Sequence, residues 1–153
     1  MINFYYQDLP IGRLYIAEEN GFITAVTLNE ITATDSCRRC KTAVISEAIK
    51  QLSEYFEGKR KSFDLPLRPK GTEFQRKVWA ALTEIPYGQV CSYQDIAVKI
   101  GNPKAVRAVG GANNKNPIMI IIPCHRVIGK DGSLIGYAGG LHVKEYLLRS
   151  EQS

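Results

Sequence analysis

The stretch SYQDIAVKIGNPKAVRAVGGA, Ser92 to Ala112, constrains the fold more than any other part of the chain. Ser92 can cap a helix N-terminus, Asp95 sits on the first turn where the helix dipole favours an anion, and Ile96, Ala97 and Ile100 share one face. Gly101 ends that helix. Asn102 then predicts an immediate second helix, with Pro103 at its first position. Helix, tight glycine turn, helix is the pattern of a helix-turn-helix. The second helix is nearly bare: Ala105, Ala108, Gly110, Gly111 and Ala112 carry no bulk, although each interior glycine costs roughly 1 kcal/mol. A bare surface admits another backbone at close range, either a neighbouring helix or the narrow minor groove of DNA. Arg107 is the one long side chain in AVRAVGGA. On a basic chain with a helix-turn-helix, it reads as a nucleic-acid contact rather than as a solvated surface residue.

The remaining patterns frame this motif. Thr72 and Gln75 form a capping box ahead of a helix that carries Phe74, Val78, Trp79 and Leu82 and is stopped by Pro86. The first third of the chain reads as β-rich, because GRLYIAEENGFITAVTL places two apolar runs around Asn20-Gly21, the preferred dipeptide of a tight hairpin turn. Residues 30–41 lack a clear period and are expected to form a loop. Ile45, Ala48, Ile49, Leu52, Tyr55 and Phe56 lie on one helical face, with Gly58 placed to end that helix. SFDLPLRPKG is expected to give a short strand and a linker, with a domain boundary near Arg68 to Gly71. The expected fold is α/β (α+β). A small N-terminal domain of β-sheet plus helix, residues 1–68, packs on a mostly helical C-terminal domain, residues 69–153, with a winged-helix-like helix-turn-helix.

Composition narrows the partners. A length of 153 residues with 44% apolar side chains supports a real core in one compact domain or two small ones. No run is long and apolar enough to span a membrane, and MINFYYQDLP lacks the basic-then-apolar pattern of a signal peptide. The default expectation is therefore the cytoplasm, or the nucleus of a eukaryote. The net charge of +5 favours an anionic partner such as nucleic acid, though only modestly. Four cysteines are too few for a disulfide scaffold and read as free thiols. Cys37-x-x-Cys40 is half a zinc site by spacing, and the only histidines are His125 and His142, so no metal and no cofactor are expected. Cys91 and Trp79 read as core.

NPIMIIIPCHRVIGKDG, Asn116 to Gly132, carries the chemistry. Ile118 to Ile122 read as a buried strand ended by Pro123, so that Cys124, His125 and Arg126 fall where the chain leaves the sheet. A lone cysteine beside a histidine is commonly structural. A nucleophilic thiol, with an ordinary pKa of about 8.5, needs a nearby base or positive charge, and His125 and Arg126 are candidates. Neighbours in an extended chain point to opposite sides, so the imidazole is expected to reach the thiol through a water. A carboxylate from the C-terminal helix LHVKEYLLRSE could orient it. Asn116, both donor and acceptor, can brace the turn around Pro123.

IPCHRVIG resembles the signature of the O6-alkylguanine-DNA alkyltransferases, the methylated-DNA–protein-cysteine methyltransferases. The resemblance runs from GTEFQRKVWAALTEIPYGQVCSYQDIA through GNPKAVRAVGGANNKNP to YAGGLHVKEYLLRSE, and YFEGKRKSFDLPL is similar to the end of the family's N-terminal domain. It implies that Cys124 accepts the alkyl group and that His125 deprotonates it through a water, held by Glu151. It implies that Tyr93 rotates the target phosphate and gives a proton to the departing guanine, and that Arg107 fills the gap left by the flipped base. Asn116 would hold the active-site turn. Tyr93, Ala105, Arg107, Ala108, Gly110 and Arg126 would meet DNA, while Val127, Tyr137, Ala138 and Lys144 would line the base pocket. Ala138 stands where several members carry serine, which leaves only a backbone donor there. The implied protein flips O6-alkylguanine out of duplex DNA, a step that costs a few kcal/mol. It then transfers the alkyl group irreversibly to its own cysteine, once, and acts on O4-alkylthymine as well. It would bind double-stranded DNA through the minor groove as a monomer, with no membrane partner. Two other functions compete. A damage-recognition relative would lack the acceptor thiol present here, and a cysteine hydrolase would need direct thiol–imidazole contact and an oxyanion hole.

Overall fold

The computed structural model describes every residue except Ile135, Gly136, Ala138 and Ser153. The chain divides into two compact units, Met1–Pro69 and Lys70–Ser153.

The first unit is a sheet of β1 (Ile2–Leu9), β2 (Gly12–Glu19), β3 (Phe22–Thr27) and β4 (Cys37–Arg39), in the order β3-β2-β1-β4. The first three strands pair antiparallel and β4 lies parallel to β1. Asn20 and Gly21 have φ of 55° and 84°, the pair of left-handed conformations that a two-residue hairpin turn demands, and Glu19 faces Phe22 across them. Helix α1 (Ala43–Phe56) packs on β1 and β2, burying Ile45, Ala48, Ile49, Leu52 and Tyr55. It ends as expected at Gly58. The amide of Gly58 donates to Tyr55 O at 3.1 Å and that of Lys59 to Glu54 O at 2.8 Å, which satisfies two terminal carbonyls.

Two expectations fail here. The 30–41 segment contains β4, a strand held by backbone bonds from Ile2 N–H to Ser36 O and from Cys40 N–H to Phe4 O, both 2.9 Å. Three residues are too few to show a side-chain period. SFDLPLRPKG gives a single bridge, Leu67 beside Ile23, instead of a strand. Pro66 and Pro69 flank it and have no amide to extend the ladder.

The second unit contains α2 (Glu73–Leu82), β5 (Cys91–Ser92), α3 (Tyr93–Lys99), α4 (Val106–Asn114), a 3₁₀ turn at Cys124–Arg126, β6 (Val127–Ile128) and α5 (Leu141–Gln152). Both predicted caps form, and each is reciprocal: Thr72 with Gln75, and Ser92 with Asp95. Trp79 is 2% exposed, and its indole N–H donates to Ala112 O at 2.9 Å, tying α2 to the last turn of α4. The chain passes this indole at Gly71, where a Cβ would lie 2.4 Å from the ring. Strands β5 and β6 pair in parallel, Cys91 opposite Val127, beside the helix-turn-helix of α3 and α4.

The helix-turn-helix differs from expectation at one point. Gly101, at φ 80°, ends α3, but α4 starts at Val106 and not at Pro103. Asn102 to Ala105 close a turn instead, and the Gln94 side chain donates to Pro103 O at 3.0 Å. A side chain on α3 thus holds the turn at Pro103.

The run Ile118–Ile122 is buried, as its composition requires, but it is not a strand. Ile121 N–H donates to Met119 O at 2.8 Å around Ile120, whose φ is 72°, and Cys124 N–H donates to Ile122 O at 2.8 Å around Pro123. A short apolar run signals burial without specifying extension. A β-branched residue in the left-handed region costs about 1–3 kcal/mol and persists only where its surroundings over-determine it. Ile120, at 1% exposure, meets that condition.

Candidate active site

Asn116 holds the turn that carries Cys124. Its Nδ2 donates to Ile122 O at 2.8 Å and its Oδ1 accepts from Ile118 N–H at 3.0 Å. Cys124 is 4% exposed, and Asn113, at the end of α4, donates to its carbonyl at 3.4 Å. Burial pushes the Cys124 thiol up. Hydrogen bonding from the side chains of Asn116 and Tyr137, the charge of Lys144 and a backbone donor pull it back towards thiolate.

His125 follows on the same 3₁₀ turn, so the alternation of an extended chain does not apply. It is fully buried, with Nε2 2.6 Å from Glu151 Oε2. A carboxylate can only accept, so Nε2 carries the proton and Nδ1 is the basic nitrogen. Nδ1 has no hydrogen-bond partner among the described residues. Burial lowers the proton affinity of His125. Glu151 opposes that effect, while Arg126 and Lys144 reinforce it. The outcome is a neutral imidazole able to accept a proton.

Glu151, on the last turn of α5, is bound by four donors. Besides His125, it accepts from Arg126 Nε at 2.8 Å, Arg126 Nη2 at 3.0 Å and the Gly88 amide at 3.2 Å. Arg126 Nη1 donates to Ile85 O at 2.8 Å. Arg126 was expected at the DNA surface. It is 6% exposed with its guanidinium turned into the protein, because the buried carboxylate needs a buried cation.

Lys144, Tyr93 and Tyr137 lie close enough to interact with the Cys124 thiol. Lys144 is fully buried with Nζ 2.6 Å from Val127 O and 6.0 Å from the centre of the Tyr93 ring. Burial holds this lysine below its usual range, against the pull of the Cys124 thiolate. Tyr93 opens α3, and burial, then the charge of Cys124, push its hydroxyl up, so it keeps its proton. Val127 is buried and Tyr137 half-buried, while Ala138 lies outside the described residues.

Helix α4 presents Arg107, Ala108 and Gly111 to solvent, with Ala105 and Gly110 half-buried. A Cβ on Gly110 would stand 3.9 Å from the Tyr93 ring, and one on Gly111 would meet nothing within 4 Å. Lys70–Ser153 has eleven basic residues against six acidic, and Met1–Pro69 has nine of each. The whole positive excess therefore sits on the unit that carries α4. Among the described residues no cluster of His, Cys, Asp and Glu could hold a metal ion, and no helix is long and apolar enough to cross a membrane.

The clamp of Arg126 on Glu151 and Ile85 O, the Gly88 amide and the Asn113 contact were not foreseen. Each joins groups distant in sequence through backbone atoms or a long-range ion pair, and no local pattern marks them.

The family model described as 6-O-methylguanine DNA methyltransferase, DNA binding domain, matches residues 73–153, and that of the ribonuclease-like domain of the same family matches residues 2–69. The constitutive methylated-DNA–protein-cysteine methyltransferase of Bacillus subtilis is 49% identical over 152 residues, covering 95% of this chain and 92% of its own. A methylated-DNA–protein-cysteine methyltransferase of Methanosarcina barkeri is 64% identical over 107 residues, covering 70% of this chain and 68% of its own. The crystal structure of Mycobacterium tuberculosis OGT in complex with DNA superposes with a TM-score of 0.91 at 45% identity, covering 98% of this chain and 92% of that one.

Proposed function

Because the chain belongs to the 6-O-methylguanine DNA methyltransferase family, we propose that it repairs O6-alkylguanine in duplex DNA by moving the alkyl group onto Cys124. One observation carries this assignment: a buried thiol is followed on the same turn by an imidazole whose far nitrogen is tied to Glu151.

DNA lies along α4 with its minor groove against the bare face, and the damaged base leaves the stack. Arg107, exposed and long, fills the gap, and the basic surface offsets part of the extrusion cost. His125 Nδ1 takes the thiol proton through a water. The thiolate then attacks the alkyl carbon and the carbon–oxygen bond breaks. Guanine leaves with a proton from Tyr93, whose hydroxyl remains protonated until then. The product thioether has no hydrolysis route, so each chain reacts once. The same geometry extends to O4-alkylthymine, where the leaving oxygen is again bonded to an aromatic ring. The protein acts as a monomer and without a cofactor, in the cytoplasm or, in a eukaryote, the nucleus.

A cysteine hydrolase fits less well, since the side chains that draw the thiol towards thiolate are Asn116, Tyr137 and Lys144, and His125 is not among them. Intact-mass measurement after incubation with duplex DNA carrying O6-methylguanine separates the possibilities. A gain of one methyl group is expected. No gain with tight binding would indicate a recognition protein, and turnover without an adduct would indicate a hydrolase.

A further inference from the structure

We propose that Arg126 is a positioning residue that sets the pH at which His125 can act as a base, by gripping both oxygens of Glu151 and balancing its charge. This role presupposes Cys124 as acceptor and His125 as its base. Arg126 spends all three nitrogens: Nε and Nη2 on the two oxygens of Glu151, and Nη1 on Ile85 O. These bonds fix the plane of the guanidinium, which lies 5.7 Å from the Tyr87 ring. Glu151 in turn has its acceptor sites filled by Arg126, His125 and the Gly88 amide, so its carboxylate cannot rotate away from Nε2.

The charge balance follows from that geometry. A buried imidazole beside an uncompensated carboxylate would hold a proton and form an ion pair before any substrate arrived. Arg126 already neutralises Glu151, so a proton added to His125 makes a net buried cation, and the imidazole stays neutral. Of the other groups facing this site, Lys144 from α5 works in the same direction as Arg126, and the neighbouring Cys124 acts on Lys144 by raising its proton affinity. Tyr87 and Tyr93 stay protonated, since burial pushes both hydroxyls up.

The test is the rate of methyl transfer from duplex O6-methylguanine as a function of pH for wild type, Arg126→Gln, Arg126→Lys and Glu151→Gln. In Arg126→Gln, which keeps donors but loses the charge, the midpoint of the acid limb should rise by about 1 pH unit, with the rate recovering towards wild type at high pH. Arg126→Lys should keep the midpoint near wild type while lowering the rate at every pH, because a point charge cannot grip both oxygens. Glu151→Gln should move the midpoint the other way, to lower pH. An equal loss at every pH in Arg126→Gln, or the same midpoint shift in Arg126→Gln and Arg126→Lys, would overturn the role. If Arg126→Gln does not fold, Glu151→Gln decides, and an unchanged or raised midpoint there counts against it. Absence of any Cys124 adduct in the wild type would instead sink the functional assignment, which separates the two failures.

Discussion

Asn116→Ala removes the brace beneath the reactive cysteine, and its cost can be worked from two bonds. Ile118 N–H loses its 3.0 Å acceptor and Ile122 O loses its 2.8 Å donor, and both residues are at most 2% exposed. A buried polar group left unpaired costs about 1–3 kcal/mol. Ile122 O keeps a second donor in Cys124 N–H and falls at the low end of that range, so the sum is about 3 kcal/mol. At about 2–4 °C per kcal/mol for a chain of this size, the melting temperature should fall by about 6–12 °C. The turn at Ile120 is itself strained and would relax once the brace is gone, carrying Cys124 with it. Displacing a reacting group by about 1 Å is worth about 10²-fold in rate, so transfer should fall by that order. Asn116→Asp is the informative partner. It keeps the acceptor for Ile118 and should melt above the alanine variant, yet it places a carboxylate beside the thiol and should react no faster. Calorimetry and single-turnover transfer on the three proteins would settle both parts. An alanine variant that melts within about 2 °C of wild type and reacts at the wild-type rate would refute the brace.

Cys124→Ser should abolish transfer while leaving affinity for duplex DNA largely intact, since the thiol and the exposed face of α4 are separate; loss of both together would count against that division. Arg107→Ala should weaken transfer from duplex DNA more than from a free alkylated base, which has no stack to fill, and equal losses would remove its role. The alkylated protein should melt below the free one, with benzyl worse than methyl, because Cys124 is 4% exposed and overfilling a packed site costs about 1–3 kcal/mol. Unchanged or raised midpoints for both adducts would show that the pocket takes the group without strain.

Local chemistry made much of the fold legible. Asn20-Gly21, the Thr72–Gln75 capping box, the Ser92 cap, Gly58 and Gly101 each encode a backbone conformation or a terminal hydrogen bond in one or two residues, and the structure has all of them. Hydrophobicity alone was a weaker guide. Ile118 to Ile122 announced burial, and only tertiary packing decided that the segment turns at Ile120. Pro103 looked like a helix start, but Asn102 O accepts from the Ala105 amide in a turn, which Gln94, nine residues before Pro103, holds through its side chain. Within the site, the thiol and imidazole stood out by type and the Asn116 brace by position. Glu151 came from a family resemblance, and the inward turn of Arg126 from neither source. Its partners Glu151 and Ile85 are 25 and 41 residues away, and a guanidinium in a basic chain reads by default as a surface contact.

The most direct test of the account is stoichiometry with location. The protein would be exposed to an excess of duplex carrying labelled O6-methylguanine, and the label then counted and mapped by peptide mass. Transfer should stop at one methyl per chain, with the label on the peptide containing Cys124 and guanine restored in the DNA. Label on Cys37, Cys40 or Cys91, or continued turnover beyond one methyl per chain, would contradict it.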